Sequence, residues 1–377
     1  MQTQVLIVGG GPAGVCCGIR LLQHGIECVV AECETFPRPK VCGGIITHKT
    51  QDLLTSLLGK ETFRHCIDES LMNYASDITL YDRLDIIATI QPSRTITIID
   101  RSQFDAALVS EFIRLGGRFA SSNAINDIDL RHHIATFATG DIVEFRYLMA
   151  ADGTDSSVEY ILRQRYRRLV HPKPSGTNCL QIDLERSKEM SFTGINIYLD
   201  TPLPGRLVWL FSKGSTISIG TDATEPALRS FCQSIGLHVP DSVHACRAKS
   251  PASHVANYRR QLTFHDVFFL GDAAGLSNPL SGEGLYSAIQ SGIYAADSLM
   301  EKHPQKYYAM CTSSLVQLVK QGARYQRLLS RNSWLRRRLI SYLRIHPDFL
   351  RYVYDNQIDY QSFESPLGML VHYRILN

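Results

Sequence analysis

Long uninterrupted apolar runs are absent from this sequence, and no basic segment followed by a long apolar stretch stands at its beginning. A membrane-spanning helix needs about 20 consecutive, mostly apolar residues, and a secretory signal peptide needs a basic region before its apolar region. We therefore expect neither a transmembrane helix nor a signal peptide, and we predict a cytoplasmic location.

Metal-binding cysteine patterns are absent as well. The ten cysteines form no C-x-x-C pair, and none stands at zinc-site spacing from the histidines. The spacing excludes the usual zinc sites and gives no support to an iron–sulfur cluster. Scattered thiols of this kind suit a reducing compartment. No metal site is predicted.

Acidic residues are scarce in the basic segment from residue 319 to residue 351. The net formal charge is +3, yet residues 319–351 hold nine Lys or Arg and one acid, Asp348. The pattern after Ser287 is helical, and three uses compete for this basic segment: packed helices, contact with an anionic membrane surface, and a solvated basic face. We favour packed helices with one basic face near lipid. Nucleic-acid binding is not expected, because no other motif accompanies the charge.

The clearest motif is a nucleotide-binding fingerprint at the start of the chain. The apolar run Val5–Val8 predicts a buried parallel strand. The sequence G-x-G-x-x-G follows, and its glycines permit a tight turn (Gly9), close approach of a pyrophosphate (Gly11) and helix–strand packing (Gly14). The N-terminus of the predicted helix then offers free N–H groups to the phosphates.

A second predicted strand, residues 26–31, ends at Glu32. An acid at this point is placed to accept hydrogen bonds from both ribose hydroxyls of a dinucleotide. Cys16 and Cys17 fall in the first turns of the helix, where we expect them to pack in the core rather than to react.

Two later stretches extend the pattern. "YLMAADGTDSSV" and "DVFFLGDAAGLSNPLSGEGLYSAI" each predict a strand followed by an aspartate-bearing turn. Together with the fingerprint they resemble the large family of FAD-dependent oxidoreductases that have a glutathione reductase-like FAD domain and a hydroxybenzoate hydroxylase-like architecture. The resemblance implies FAD as the cofactor. It also implies the following cofactor-binding residues: Gly9, Gly11, Pro12, Ala13, Gly14, Glu32, Arg101, Asp152, Asp272, Gly282, Glu283 and Gly284.

Several roles follow from that resemblance. The resemblance implies that Asp272 binds a ribityl hydroxyl of FAD. It also implies that the helix starting near Gly282 points its N-terminus at the pyrimidine end of the flavin, where it stabilises negative charge. Arg101 is expected beside the flavin or its phosphates, at a helix start that Ser102 would cap. The sequence departs from the family at Glu159, where an arginine is frequent.

The implied fold is α/β: a Rossmann-like FAD-binding domain interrupted by an antiparallel β-sheet substrate domain, with C-terminal helices. The predicted bounds are 1–70, 99–165 and 261–300 for the FAD-binding domain, 71–98 and 166–260 for the substrate domain, and 301–377 for the C-terminal helical region. Alternating patterns support the strands of the second domain, and four of them from Gly176 to Thr221 predict a meander.

One strand of that predicted sheet, "RLVWLF", places Leu207, Trp209 and Phe211 on one face. Such a face serves equally as sheet core or as the lining of a substrate pocket. Both uses stay open from the sequence alone.

The stretch "KVCGGI" holds Cys42, Gly43 and Gly44, predicted as catalytic-site residues. It resembles the K-x-C-G-G segment of geranylgeranyl reductases, which also carry Y-x-W-x-F-P followed by G-x-G. Here Trp209, Phe211 and Gly220 are kept, while Leu207 and Ser212 replace the tyrosine and the proline. The glycines are expected to let the backbone pass close to the flavin. Cys42 has three open roles, pocket lining, proton donation or none, with Lys40 and His48 as the neighbours expected to affect it.

The predicted function is that of an FAD-dependent oxidoreductase that reduces C=C bonds of a prenyl or other apolar substrate by hydride transfer from reduced flavin. The alternatives are a flavin monooxygenase or halogenase on the same fold, and a non-catalytic FAD-binding module for redox sensing or partner binding. No second dinucleotide fingerprint is present, so NAD(P)H would bind transiently, or a ferredoxin would supply the electrons.

Overall fold

A computed structural model of the chain describes residues 1–166, 177–186, 192–199, 207–250 and 262–355. Residues 167–176, 187–191, 200–206, 251–261 and 356–377, which include parts of all three predicted regions, lie outside the described residues. The helices are α1 (Pro12–Gln23), α2 (His48–Leu58), α3 (Lys60–Ser70), α4 (Arg101–Arg114), α5 (Ser157–Arg165), α6 (Glu225–Ser234), α7 (Leu285–Met300), α8 (Gln305–Ser313), α9 (Leu315–Arg331), α10 (Ser333–Ile345) and α11 (Pro347–Tyr354).

The described strands form three sheets. Their bounds are β1 (Gln2–Val8), β2 (Cys28–Ala31), β3 (Ile45–Ile46), β4 (Leu71–Ala75), β5 (Ile78–Asp82), β6 (Asp85–Ile90), β7 (Ile96–Ile99), β8 (Arg118–Ala120), β9 (Ile125–Asp129), β10 (Ile134–Phe137), β11 (Ile142–Ala150), β12 (Thr177–Glu185), β13 (Ile195–Leu199), β14 (Val208–Lys213), β15 (Thr216–Thr221), β16 (Cys246–Ser250), β17 (Thr263–Phe264) and β18 (Val267–Phe269).

The first sheet has the order β17-β18-β11-β1-β2-β8, and β9 and β10 extend it beside β11. The pairs β18–β11, β11–β1, β1–β2 and β2–β8 are all parallel. The side chains of Val5, Leu6 and Ile7 are fully buried, as a strand covered by helices on both faces requires. The predicted α/β fold with a parallel nucleotide-binding sheet is therefore confirmed.

Helices α1 and α7 pack together through small residues. A Cβ on Gly292 of α7 would overlap the carbonyl oxygen of Ala13 in α1, so the close approach of the two backbones depends on glycine at that position. Cys16 and Cys17 of α1 are fully buried in the same core. Burial raises the pKa of both thiols well above the ordinary value, and the prediction that they pack rather than react agrees with this placement.

The second sheet has the order β16-β12-β15-β14-β13-β5-β6. It is antiparallel except for the pair β13–β5. The prediction of one meander through four strands is wrong in its first strand. Only β13, β14 and β15 follow one another, while β12 pairs with β15 on one side and with β16 on the other.

A third sheet has three strands in the order β3-β7-β4, and its side chains pack on both of the other sheets. Strand β7 pairs with β3 and β4 rather than with β5 and β6, the strands that precede it in the sequence. The physical reason is that the strand has two apolar faces: Ile99 packs in the core of the first sheet, and Ile96 and Ile98 pack with the second.

The described C-terminal helices cover one face of the second sheet. Leu335, Ile340 and Leu343 of α10 pack on Leu80 and Ala88 of β5 and β6. The opposite face of the sheet is covered by α6. Among the helices that the structure describes, none has the length and apolar character that a membrane crossing requires.

Candidate functional site

The glycines of the fingerprint have distinct structural reasons. Gly9 has φ +109°, and a Cβ on Gly14 would overlap the carbonyl oxygen of Gly9 and lie 3.0 Å from Ile7 Cγ2. Gly11 is the N-cap of α1, which Pro12 and Ala13 begin, and no side chain caps this helix end. The N–H groups at the start of α1 are thus available to an anion.

Glu32 follows β2 and is almost fully buried. Its Oε2 accepts a hydrogen bond from Gly10 N at 2.8 Å, and its Oε1 accepts one from Glu34 N at 3.0 Å. These bonds fix the carboxylate beside the phosphate-binding turn. Cys33 Sγ also donates to Oε1, at 3.1 Å, whereas Oε2 can accept a further bond, so a ribose hydroxyl is compatible with the arrangement.

Arg38 lies at the same turn and was not singled out in the sequence. Its Nη2 is 3.8 Å from Glu32 Oε2 and would be 3.7 Å from a Cβ on Gly11. A guanidinium beside an uncapped helix N-terminus suits a pyrophosphate. The sequence signal was weak, since a single arginine after the second strand has no fixed spacing.

The other two predicted cofactor segments end neighbouring strands, β11 and β18. Asp152 Oδ2 accepts a hydrogen bond from Val158 N at 3.0 Å, and Asp272 Oδ1 accepts one from Ser277 Oγ at 2.6 Å. Gly282 has φ +71°, and Gly284 is the N-cap of α7 without a side-chain cap. This second helix end is also open to negative charge.

Glu283 connects that turn to α2. Its Oε2 lies 2.9 Å from Lys49 Nζ, and its Oε1 accepts a hydrogen bond from Thr47 Oγ1 at 2.7 Å. The side chain predicted to bind the cofactor therefore holds the start of α2 in this structure.

The residues present fit FAD. Two uncapped helix ends, the buried acid Glu32 and the cation Arg38 surround the turns that the resemblance assigns to the dinucleotide. Within the described ranges, His, Cys, Asp and Glu side chains form no group able to hold a metal ion.

Arg101 is the first residue of α4 and is paired inside the chain. Its Nε and Nη2 donate to the two carboxylate oxygens of Asp105 at 2.8 and 2.9 Å, and its Nη1 lies 3.7 Å from Cys42 Sγ. Burial alone lowers the pKa of Arg101, but Asp105 and Cys42 outweigh it and raise that pKa. Breaking a buried pair of this kind costs about 3–5 kcal/mol.

The predicted cap of α4 is wrong. Asp100, not Ser102, is the N-cap, and its side chain accepts from Ser102 N at 2.7 Å. Asp105, three residues after Ser102, forms the ion pair with Arg101. A carboxylate placed four residues after an arginine on a helix reaches that arginine.

The glycine pair after Cys42 makes room for protein atoms. A Cβ on Gly43 would overlap the ring of Phe211, and a Cβ on Gly44, at φ +79°, would overlap the carbonyl oxygen of Ile99. The sequence explained both glycines by close passage to the flavin. In the structure, their immediate neighbours are the second and third sheets.

The two residues expected to affect Cys42 are not among its hydrogen-bond partners within the described part of the chain. Lys40 is exposed, and His48 bonds to Arg94 O at 2.9 Å through Nε2. Two cations lie near Cys42. Arg101 Nη1 is 3.7 Å from the Cys42 sulfur, and Lys213 Nζ donates a hydrogen bond to the Cys42 carbonyl oxygen at 3.1 Å.

Lys213 is 8% exposed and belongs to a polar row on the second sheet. Its Nζ is 3.9 Å from Asp183 Oδ1, and that carboxylate also accepts hydrogen bonds from Ser218 Oγ and Gln181 Nε2. Period-two spacing along β14 places Lys213 on the face of Trp209 and Phe211, a relation that is visible in the sequence itself.

Trp209 and Phe211 share an apolar cluster with the third sheet and α11. The ring of Trp209 occupies the space over Gly220, where a Cβ would overlap it. Other members of the cluster are Ile45, Ile98, Leu350 and Tyr354. Leu207 precedes β14 and is half-buried, and it is not part of this described cluster.

Comparison with known proteins supports the cofactor. Residues 2–170 match the model of a family described as the FAD binding domain. The chain is 21% identical over 318 residues to digeranylgeranylglycerophospholipid reductase 2 of Methanosphaera stadtmanae, which covers 78% of this chain and 77% of that protein.

Solved structures share the fold. A geranylgeranyl bacteriochlorophyll reductase-like protein of Thermoplasma acidophilum superposes with a TM-score of 0.70 at 17% identity, covering 98% of this chain and 95% of its own. A probable FAD-dependent monooxygenase of Pseudomonas aeruginosa gives 0.68 at 15% identity, covering 88% and 97%. The predicted resemblance and the predicted cofactor, FAD, are confirmed.

Gly14→Val is expected to abolish FAD binding, because the new side chain would overlap Gly9 and push α1 away from the phosphate-binding turn. The measurement is the ratio of flavin to protein in the purified variant. Ala309→Val, at an exposed position of α8, is the control and should keep full FAD content. A folded Gly14→Val protein with full flavin content would contradict the assignment.

Proposed function

We propose that this FAD-dependent oxidoreductase, a distant homologue of the geranylgeranyl reductases, reduces C=C bonds of a prenyl or other apolar substrate. One observation carries the proposal. The two segments that resemble those reductases lie far apart in sequence yet touch: Phe211 of the W-x-F strand packs on Gly43, and Lys213 of the same strand bonds to Cys42.

When bound and reduced, FAD would supply the hydride, and a proton would add to the other carbon of the double bond. The chain's own residues shape the site. Trp209 and Phe211 offer an apolar face to the substrate and keep water away from it, and Arg101 and Lys213 hold the Cys42 segment from two sides. The proposed electron donor is NAD(P)H, bound transiently, or a ferredoxin.

An apolar substrate would be reached at a lipid surface, and one basic surface of the C-terminal helices suits that use. Arg331, Arg337 and Arg338 are exposed beside Trp334 and Ile345, whose exposed fractions are 51% and 72%. Arginine with exposed tryptophan and isoleucine is the composition of interfacial helices. We therefore also propose that these helices make peripheral contact with an anionic membrane.

The reduced holoenzyme is expected to transfer its electrons to a prenyl double bond. Protein reduced with dithionite under anaerobic conditions is mixed with geranylgeranyl diphosphate or with digeranylgeranylglycerophospholipid. The flavin absorbance should return, and mass spectrometry should find two added hydrogen atoms for each reduced bond.

The same experiment separates the alternatives. Rapid, substrate-dependent consumption of oxygen with a hydroxylated or halogenated product would favour a monooxygenase or halogenase. A flavin that neither NAD(P)H nor dithionite reduces would favour a non-catalytic binding module. Reduced flavin that stays reduced with every prenyl probe tested would contradict the proposed reaction.

Cys42→Ala is expected to keep FAD and its reduction, and to change KM or substrate preference modestly, because we assign Cys42 to the lining of the site. The measurement is steady-state kinetics with the prenyl probe that reacts. If Cys42→Ala and Cys42→Ser both bind FAD normally but lose about 10²-fold or more in rate, Cys42 is the proton donor instead. Unchanged kinetics and substrate range would remove Cys42 from the site.

Reversal of Arg331, Arg337 and Arg338 to Glu is expected to weaken binding to vesicles that contain phosphatidylserine, since each basic residue contributes about 1 kcal/mol at an anionic surface. Sedimentation with the vesicles measures the loss, and wild-type binding should also fall at high salt. The control reverses three exposed cations elsewhere, Arg64, Arg131 and Lys302, with the same change in net charge. Equal binding by the two triple variants would contradict the membrane surface.

A further inference from the structure

The end of α11 closes one side of the aromatic face of the second sheet. Leu350 and Tyr354 pack in the same cluster as Trp209, Phe211 and Ile45. Residues from the two ends of the chain therefore line the face that the proposed function assigns to the substrate. Nothing in the sequence motifs pointed to Tyr354.

The position of Tyr354 is fixed by its neighbours. The carboxylate of Asp355 accepts hydrogen bonds from Ser93 N at 3.2 and 3.0 Å. Its Oδ1 also lies 3.8 Å from His48 Nδ1, and both of these side chains are nearly fully buried. The ring of His48 meets the ring of Tyr354 edge-on, with 5.5 Å between the centroids.

The hydroxyl of Tyr354 is the unexplained group. Its Oη is buried and has no hydrogen-bond partner among the described residues. A buried polar group without a partner costs about 1–3 kcal/mol, so such a group in a native structure calls for a reason.

The hydroxyl also keeps its proton. Burial, with added effects of Glu283 and Asp355, raises the pKa of Tyr354 above its ordinary value. The group is therefore a neutral hydrogen-bond donor.

We propose that Tyr354 contacts the substrate: its ring forms one wall of the apolar site, and its hydroxyl donates a hydrogen bond to an oxygen atom carried by the apolar chain. The inference rests on the proposed function and narrows the substrate class to prenyl compounds with an alcohol, ether or ester oxygen. A site built to bond an oxygen rejects the analogue that lacks it.

The test compares two probes in the same detergent: geranylgeraniol and the hydrocarbon that lacks its hydroxyl group. Binding to the oxidised holoenzyme is followed by the fluorescence of Trp209 in a Trp334→Phe background, since the chain has two tryptophans. We expect geranylgeraniol to bind about tenfold more tightly than the hydrocarbon, the effect of one hydrogen bond. Tyr354→Phe should bind both probes equally, and its thermal stability should stay the same or rise.

Tyr307→Phe is the matched control. Tyr307 is a buried tyrosine whose hydroxyl is satisfied, because it donates to Phe269 O at 2.6 Å. Its removal should lower the melting temperature by removing a buried hydrogen bond, while the preference for geranylgeraniol stays about tenfold. The two variants thus separate a binding role from a structural one.

Two outcomes would overturn the inference: a wild-type protein that binds geranylgeraniol no better than the hydrocarbon or binds neither, and a Tyr354→Phe protein that keeps the preference. The binding measurement does not depend on turnover. A tenfold preference lost in Tyr354→Phe, together with absence of alkene reduction in wild-type protein, would contradict the proposed reaction and leave Tyr354 as a ligand contact.

Discussion

The contacts around Cys42 are the constraint on which the arrangement of the three sheets depends. The segment from Cys42 to Gly44 leaves the nucleotide-binding part of the chain and is held from opposite sides. Arg101, at the start of α4, lies on the sulfur, and Lys213, at the end of β14, bonds to the carbonyl oxygen. Arg101 is buried and paired with the buried Asp105, so a neutral residue in its place would leave an unpaired acid in the interior. Lys213 is also buried, but its partner Asp183 is half exposed.

The small third sheet follows from this arrangement. Its first strand, β3, begins directly after the glycine pair, and Gly44 lies so close to Ile99 that a side chain would overlap the β7 backbone. Strand β7 presents apolar side chains to both larger sheets. Packing on both sides of this strand therefore fixes the position of the two larger sheets relative to each other. The next residues, Thr47 to Lys49, reach Glu283 on one side and Asp355 on the other. A short stretch of chain thereby connects the cofactor turns, the substrate face and the C-terminal helices.

Structural features that depend on residues close together in the sequence could be predicted, whereas contacts between residues far apart in the sequence could not. The fingerprint at Gly9, Gly11 and Gly14, the buried strand before it and the helix after it are local, and the structure agrees with all of them. The ion pair of Arg101 with Asp105 was within reach, since the two residues stand one helical turn apart. Lys213 on the Cys42 carbonyl and Tyr354 beside Trp209 were not. Their partners lie far away in the sequence, and no periodic pattern of residues indicates contacts over that distance.

The close packing of α1 against α7 has a consequence for the choice of cofactor. Since Gly292 lets the two backbones touch at Ala13, the two open helix ends, at Gly11 and Gly284, belong to one rigid pair and keep a constant separation. A ligand that occupies the first end holds its far end at a high effective concentration beside the second. A flavin mononucleotide carries the ring and one phosphate, so it could also reach both helix ends, but it lacks the adenylate half whose ribose would meet Glu32. A dinucleotide would thus gain a third anchoring point, and the missing side chain of one glycine keeps the two helix ends close enough for it to use all three.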